Sequence, residues 1–237
     1  MTWIKICGTT NLEDANTAVE AGADALGFVF APSPRRISPR DAARITAALP
    51  ASVEKIGVFV NQSAELVLDT VEKAGLTGVQ LHGEEDGRFA RHLREAAKSR
   101  LLLLKAISMS EVGKAKGKTF AIAAAEDAAG AFSALMLDSG SHARRGGTGL
   151  TFDWQDAAPV ARLLARKFKL IVAGGLNPDN VAKALRIFQP WGVDVASGVE
   201  QSPGKKDGEK LRAFIAAVRA CEATAPVQSP QNAVTGK

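Results

Sequence analysis

Short runs of Val, Ile, Leu and Phe recur along this 237-residue chain, separated by amphipathic, alanine-rich segments. Runs of that length suit strands buried on both faces, and the segments between them suit crossover helices. The pattern therefore predicts parallel strands joined by helices. Eight strands are expected, at Thr2 to Ile6, Ala25 to Phe30, Lys55 to Val60, Gly78 to Leu81, Leu101 to Ala106, Ala134 to Leu137, Lys169 to Val172 and Val193 to Ala196. Helices are expected at Asn11 to Ala21, Ser38 to Ala48, Ser63 to Ala74, Gly87 to Lys98, Ser110 to Ala115, Trp154 to Arg166, Pro178 to Phe188 and Asp207 to Ala220. Three of them carry start signals: Asn11 with Asp14, Ser38-Pro39 with Asp41, and Asn177-Pro178 with Asp179. Eight strand-helix units in one chain of this length predict an α/β fold, a single-domain (β/α)8 TIM barrel over residues 1–222. No G-x-G-x-x-G follows the first strand, which disfavours an open doubly wound sheet. Beyond Cys221 the periodicity stops and prolines enter, so residues 223–237 are expected to form a disordered C-terminal tail.

A barrel of this kind gathers its chemistry at the C-terminal ends of the strands. Cys7 ends the first apolar run, just ahead of a helix-opening turn, where positive helix potential would favour thiolate; a buried small hydrophobe is the plainer alternative. Asp138 ends the sixth run and precedes Ser139 to Gly149, a basic, glycine-hinged stretch suited to folding over a ligand. Gly174-Gly175 after strand seven and Ser197-Gly198 after strand eight let backbone N–H groups approach an anion, the usual phosphate site of barrels. Arg36, in a proline-rich turn, could grip a carboxylate with two prongs, whereas Arg35 is expected to be solvated. Gln80 and His82 stand beside the pocket, with His82 read as a structural hydrogen bonder. Alternation puts Trp3, Lys5 and Cys7 on one face of strand one, so Lys5 points into the barrel and needs a partner, for which Asp194 is the candidate.

Charge and composition narrow the partners. The net charge is +5 with pI near 9.3, yet the cations are scattered, and there is no basic-aromatic interleaving. A phosphorylated small molecule fits this better than nucleic acid. No run of about 18 apolar residues appears, and no basic leader precedes an apolar core, so neither membrane spanning nor secretion is expected. Two cysteines far apart give neither a disulfide framework nor paired metal spacing. A cytoplasmic protein without metal is the expectation, as a monomer or homodimer.

The strings Lys5-Ile6-Cys7-Gly8, Gly27-Phe28-Val29-Phe30, Gln80-Leu81-His82-Gly83, Leu137-Asp138-Ser139, Gly147-Thr148-Gly149 with Phe152-Asp153-Trp154, Gly174 to Val181, and Val193-Asp194-Val195 with Ser197 to Glu200 and Pro203 to Asp207 occur in that order. As a set they resemble the phosphoribosylanthranilate isomerases, (β/α)8 barrels of tryptophan biosynthesis. The resemblance implies an Amadori rearrangement of phosphoribosylanthranilate to an open-chain aminoketose phosphate. It assigns Cys7 as general base, Asp138 as general acid, Arg36 to the anthranilate carboxylate, and the Gly174-Gly175 and Ser197-Gly198 backbones to the phosphate. No cofactor is required, because the substrate nitrogen is its own electron sink. Asp138 must then keep some proton near neutral pH, through burial and the substrate's carboxylate, while the helix terminus lowers the Cys7 pKa. Two departures stand out: Ala196 where a serine is expected, and a long, alanine-rich segment between strands five and six. A phosphate-binding barrel without catalysis would have no need of both Cys7 and Asp138. Indole-glycerol-phosphate synthase would need a catalytic lysine, for which Lys105 is available, but also glutamates that the strand ends lack. The histidine-pathway isomerases favour an aspartate where Cys7 stands.

Overall fold

The structure, a computed structural model, describes residues 1–97, 100–108, 130–138 and 154–223. The expected helix Ser110 to Ala115, the stretch Ser139 to Gly149 and the tail from residue 224 lie outside the described residues. Strands β1 (Trp3–Cys7), β2 (Ala25–Val29), β3 (Glu54–Phe59), β4 (Gly78–Leu81), β5 (Leu102–Ser108), β6 (Ala134–Asp138), β7 (Leu170–Ala173) and β8 (Gly192–Val195) form a closed parallel barrel in sequence order, with β8 returning to β1. Around it run α1 (Leu12–Ala21), α2 (Pro39–Thr46), α3 (Ala64–Ala74), α4 (Gly87–Ala96), α5 (Trp154–Ala165), α6 (Val181–Phe188) and α7 (Gly208–Ala223). The boundary expected at residue 222 falls inside the last turn of α7.

Period-two alternation divides each strand between two cores. Ile4, Ile6, Leu26, Phe28, Leu103 and Leu137 join the layer packed under the helices. Ala25, Ile56, Leu104, Ala106, Met136 and Ile171 fill the barrel itself. Alanines stand among larger Ile, Leu and Met side chains in that inner set, and together they fill the narrow interior of an eight-stranded barrel in layers. Trp3 at the start of β1 stacks on Trp191, with ring centroids 5.1 Å apart, and closes the N-terminal end. The opposite end is left for function.

Local caps explain most helix starts. The Asn11 side chain accepts from the Asp14 N–H at 2.8 Å, and Ser38 accepts from the Asp41 N–H at 3.1 Å ahead of Pro39. The expected start at Asn177-Pro178 is corrected. Asn177 Oδ1 accepts from the N–H groups of Asp179 and Asn180, which holds a turn, and α6 begins only at Val181. An Asx turn competes with helix here, and it sets the strand-seven loop apart from its helix.

Candidate active site

Cys7 closes β1, where it pairs in register with Gly27 of β2. Two residues earlier on the same face, Lys5 is fully buried and its Nζ lies 2.8 Å from Asp194 Oδ1 on β8, the pairing anticipated from alternation. Burial works against the Lys5 charge, but Asp194 and Cys7 outweigh it and hold the ammonium above its ordinary pKa. Gly27 makes the room. A Cβ there would stand 2.8 Å from Cys7 Sγ and 3.0 Å from Lys5 Nζ. Gly27→Ala is therefore expected to destabilise the fold by about 1–3 kcal/mol through overpacking and to lower turnover by displacing the sulfur. Urea unfolding together with steady-state kinetics measures both; a variant equal to the parent in each would show that the sulfur's position tolerates displacement.

The thiol differs from expectation. Burial pushes its pKa above the ordinary cysteine value; Lys5 pulls it down, Asp194 adds to the rise and Lys206 pulls it down. Helix α1 begins only at Leu12, and the facing cations are lysine side chains. Positive potential at the sulfur is thus supplied by Lys5 and Lys206, and desolvation by burial exceeds it.

Asp138 ends β6 on the inward face, continuing the parity of Ala134 and Met136. Its Oδ2 lies 3.2 Å from His82 Nε2, and His82 Nδ1 lies 3.0 Å from Gln80 Nε2. Gln80 is buried, so the row Gln80–His82–Asp138 runs from the barrel interior to its rim. If the Gln80 amide donates to Nδ1, the imidazole proton sits on Nε2 and faces the carboxylate. The histidine bridges Gln80 and Asp138, as a structural hydrogen bonder would.

Gly174 and Gly175 both have positive φ, 83° and 67°, so the chain after β7 turns through a conformation that other residues rarely adopt. Ser197–Val199 forms a single 3-10 turn after β8, and a Cβ on Gly198 would meet the Leu176 carbonyl oxygen at 1.8 Å. The two turns are in backbone contact. Successive N–H groups in such turns make an anion-binding concavity.

Arg36 is exposed, has no ion pair among the described residues, and lines a cleft of about 420 Å³ with Phe30, Ile37, Gln62 and Leu66. Arg35 is corrected. Instead of being solvated it forks onto Glu200, with Nε to Oε1 at 2.8 Å and Nη2 to Oε2 at 2.6 Å. Glu200 opens β9 (Glu200–Ser202), which pairs antiparallel with β10 (Lys205–Lys206). Burial would raise the Glu200 pKa, but Arg35 and Lys206 overcome it and hold the carboxyl below its usual range. Lys206 is buried, and its Nζ donates to the Cys7 carbonyl at 2.5 Å. The cluster is not legible in the sequence, where Glu200 and Lys206 stand only within the Ser197-to-Glu200 and Pro203-to-Asp207 strings, without a role. Lys105, the lysine available for synthase chemistry, has the parity of Leu103 and Ile107, which pack under the helices. It bonds the Gly83 carbonyl at 2.5 Å and lies 3.5 Å from Glu85, away from the barrel interior.

A closed barrel with a thiol, a carboxyl and two glycine turns at its C-terminal mouth defines a (β/α)8-barrel enzyme of the small-molecule kind. The family of N-(5'-phosphoribosyl)anthranilate (PRA) isomerases matches residues 4–217. The N-(5'-phosphoribosyl)anthranilate isomerase of Citrifermentans bemidjiense is 46% identical over 217 residues, 91% of this chain and 96% of that one. The crystal structure of the Thermotoga maritima enzyme superposes with a TM-score of 0.79 at 42% identity, covering 93% of this chain and 100% of that chain. A PRA isomerase in complex with reduced 1-(o-carboxyphenylamino)-1-deoxyribulose 5-phosphate gives 0.77 at 41% identity, with the same coverage. The chain belongs to the N-(5'-phosphoribosyl)anthranilate isomerase family, an isomerase of tryptophan biosynthesis.

Proposed function

We propose that the site carries out the Amadori rearrangement of N-(5'-phosphoribosyl)anthranilate to 1-(2-carboxyphenylamino)-1-deoxyribulose 5-phosphate with Cys7 and Asp138 as its base and acid. Asp138 gives its proton to the furanose ring oxygen as the C1'–O bond breaks, and the nitrogen lone pair closes the iminium. Thiolate Cys7 takes the C2' proton, and the electron pair of that bond neutralises the iminium to an enolamine. In the tautomerisation C1' gains a proton as the C2' hydroxyl loses one, and proton exchange passes the proton held by the Cys7 thiol on and returns one to Asp138, which restores thiolate and acid. No electron leaves the substrate, so acid and base suffice.

The arrangement of strands around the mouth supports this reading best. Asp138 on β6 and Cys7 on β1 both face inward at the same rim, and the strands between them, β7 and β8, carry the glycine turns. A phosphate held by Gly174, Gly175, Ser197 and Gly198 would place its ribose between carboxyl and sulfur. Arg36 would take the anthranilate carboxylate, with Gln80 and His82 lining the pocket. The substrate is a soluble phosphorylated metabolite, no nucleic acid or membrane is engaged, and the setting is cytoplasmic; no described helix is long and apolar enough to cross a bilayer.

The test is a fluorescence assay on freshly generated phosphoribosylanthranilate, with EDTA present. Turnover that survives the chelator is expected, and absence of turnover would sink the proposal. Arg36→Met is expected to raise KM about ten- to a hundredfold with kcat within a few-fold, since a hydrogen bond between charged groups contributes roughly 1.5–3 kcal/mol. An unchanged KM would remove Arg36 from carboxylate recognition.

A further inference from the structure

Lys206 lies outside the chemistry just described, yet its ammonium is buried at the end of the base-bearing strand. Nζ donates to the carbonyl of Cys7 at 2.5 Å and of Ala196, the residue before the Ser197–Gly198 turn, at 3.3 Å, and it lies 3.1 Å from Glu200 Oε1. The hairpin that delivers it is pinned from several sides. The Lys206 N–H donates to Asp14 on α1 at 2.7 Å, Gly204 N–H to Glu200 at 3.2 Å, and Thr10 Oγ1 to the Gly204 carbonyl at 2.5 Å. The neighbouring Lys205 is exposed.

The charges around Cys7 can be sorted by element. Lys5 on β1 and Asp194 on β8 are a close pair and largely cancel. From the loop after β2 comes Arg35, whose stem would meet a Cβ on Gly8 at 2.5 Å; from β9 comes Glu200, from β10 Lys206. Asp14 takes the Lys206 backbone N–H rather than its ammonium. Two cations thus share one carboxylate, leaving a surplus positive charge beside the residue that must lose a proton. Burial pulls the Lys206 pKa below the ordinary lysine value, while Glu200 and Cys7 pull it back up.

We propose that Lys206 is a positioning residue for the isomerase reaction: its buried ammonium holds the end of β1 and supplies the field in which Cys7 becomes a thiolate. This rests on Cys7 being the base. The test follows thiolate absorbance near 240 nm against pH in a Cys221→Ser background, where only Cys7 titrates; the chain has no tyrosine to obscure the signal. Lys206→Met is expected to raise the inflection by about one pH unit or more, the usual effect of losing a neighbouring opposite charge. The acid limb of kcat/KM should move with it, and Lys206→Arg should return both toward the parent. Glu200→Gln, which removes the shared carboxylate, is expected to lower the inflection. A folded Lys206→Met with inflection and limb unmoved would overturn the proposal, as would Glu200→Gln shifting the inflection upward or not at all. Where Lys206→Met does not fold, Glu200→Gln and Lys206→Arg decide by the same signs. Failure of the Cys7 reading looks different: Cys7→Ala would then turn over normally, whatever the thiol titration shows.

Discussion

Cys7→Ala is expected to lower kcat by about 10²- to 10⁴-fold while substrate affinity stays within about tenfold, the range typical of losing one general base. No other described group on β1 or β2 is placed to take the C2' proton. Lys5 is committed to Asp194 at 2.8 Å, and Gly27, the register partner of Cys7, has no side chain. Alanine leaves those neighbours in place, so the ground-state binding proposed for the glycine turns and Arg36 is expected to survive. The pH profile carries a second sign. Only thiolate accepts a proton, so kcat/KM rises with pH below the thiol's pKa. Because burial raises that pKa above the ordinary value, the rise is expected to continue beyond the ordinary cysteine pKa of about 8.5, where the profile of an exposed cysteine would level off. Stopped assays across pH 6 to 10 measure the limb, and normal turnover in Cys7→Ala would end the assignment.

Much of this site is legible in sequence because barrels place function at strand ends, and strand ends are where apolar runs stop. The β4 boundaries match Gly78 to Leu81, and β1 is shifted by one residue, since pairing of Cys7 with Gly27 extends the ladder to the cysteine itself. Lys5 and Asp194 are legible for a similar reason: alternation sends a lysine inward, and adjacency of first and last strands supplies its partner. Arg35 fails on the same logic. Its partner Glu200 lies 165 residues away on a two-stranded hairpin outside the barrel, and no local period marks that contact. Arg35 and Arg36 are adjacent cations in one loop, so only packing against Gly8 and Glu200 separates the half-buried fork from its exposed neighbour. The expected helix start at Asn177 fails because an Asn side chain can cap a turn as readily as a helix. Expecting a helix terminus to activate Cys7 fails for an energetic reason: the sulfur is buried, and desolvation exceeds what nearby cations return.

Asp138→Asn is expected to match or exceed the loss in Cys7→Ala, because ring opening precedes proton abstraction and the amide has no acidic proton to give. The substitution keeps shape and a hydrogen-bonding partner for His82, so a purely structural role would leave turnover near normal. His82 adds a way to read the result. Its Nε2 lies 3.2 Å from Asp138 Oδ2, and Gln80 contacts Nδ1; in the asparagine variant the imidazole can still be oriented, while the proton donor is gone. Kinetic loss with retained binding of a product analogue therefore assigns the acid to Asp138. A substrate already open to the imine should escape most of the defect, since only ring opening needs that acid. If the variant processed the closed sugar at the parent rate, ring opening would have to draw its proton from elsewhere, and His82 is the nearest described group able to supply one.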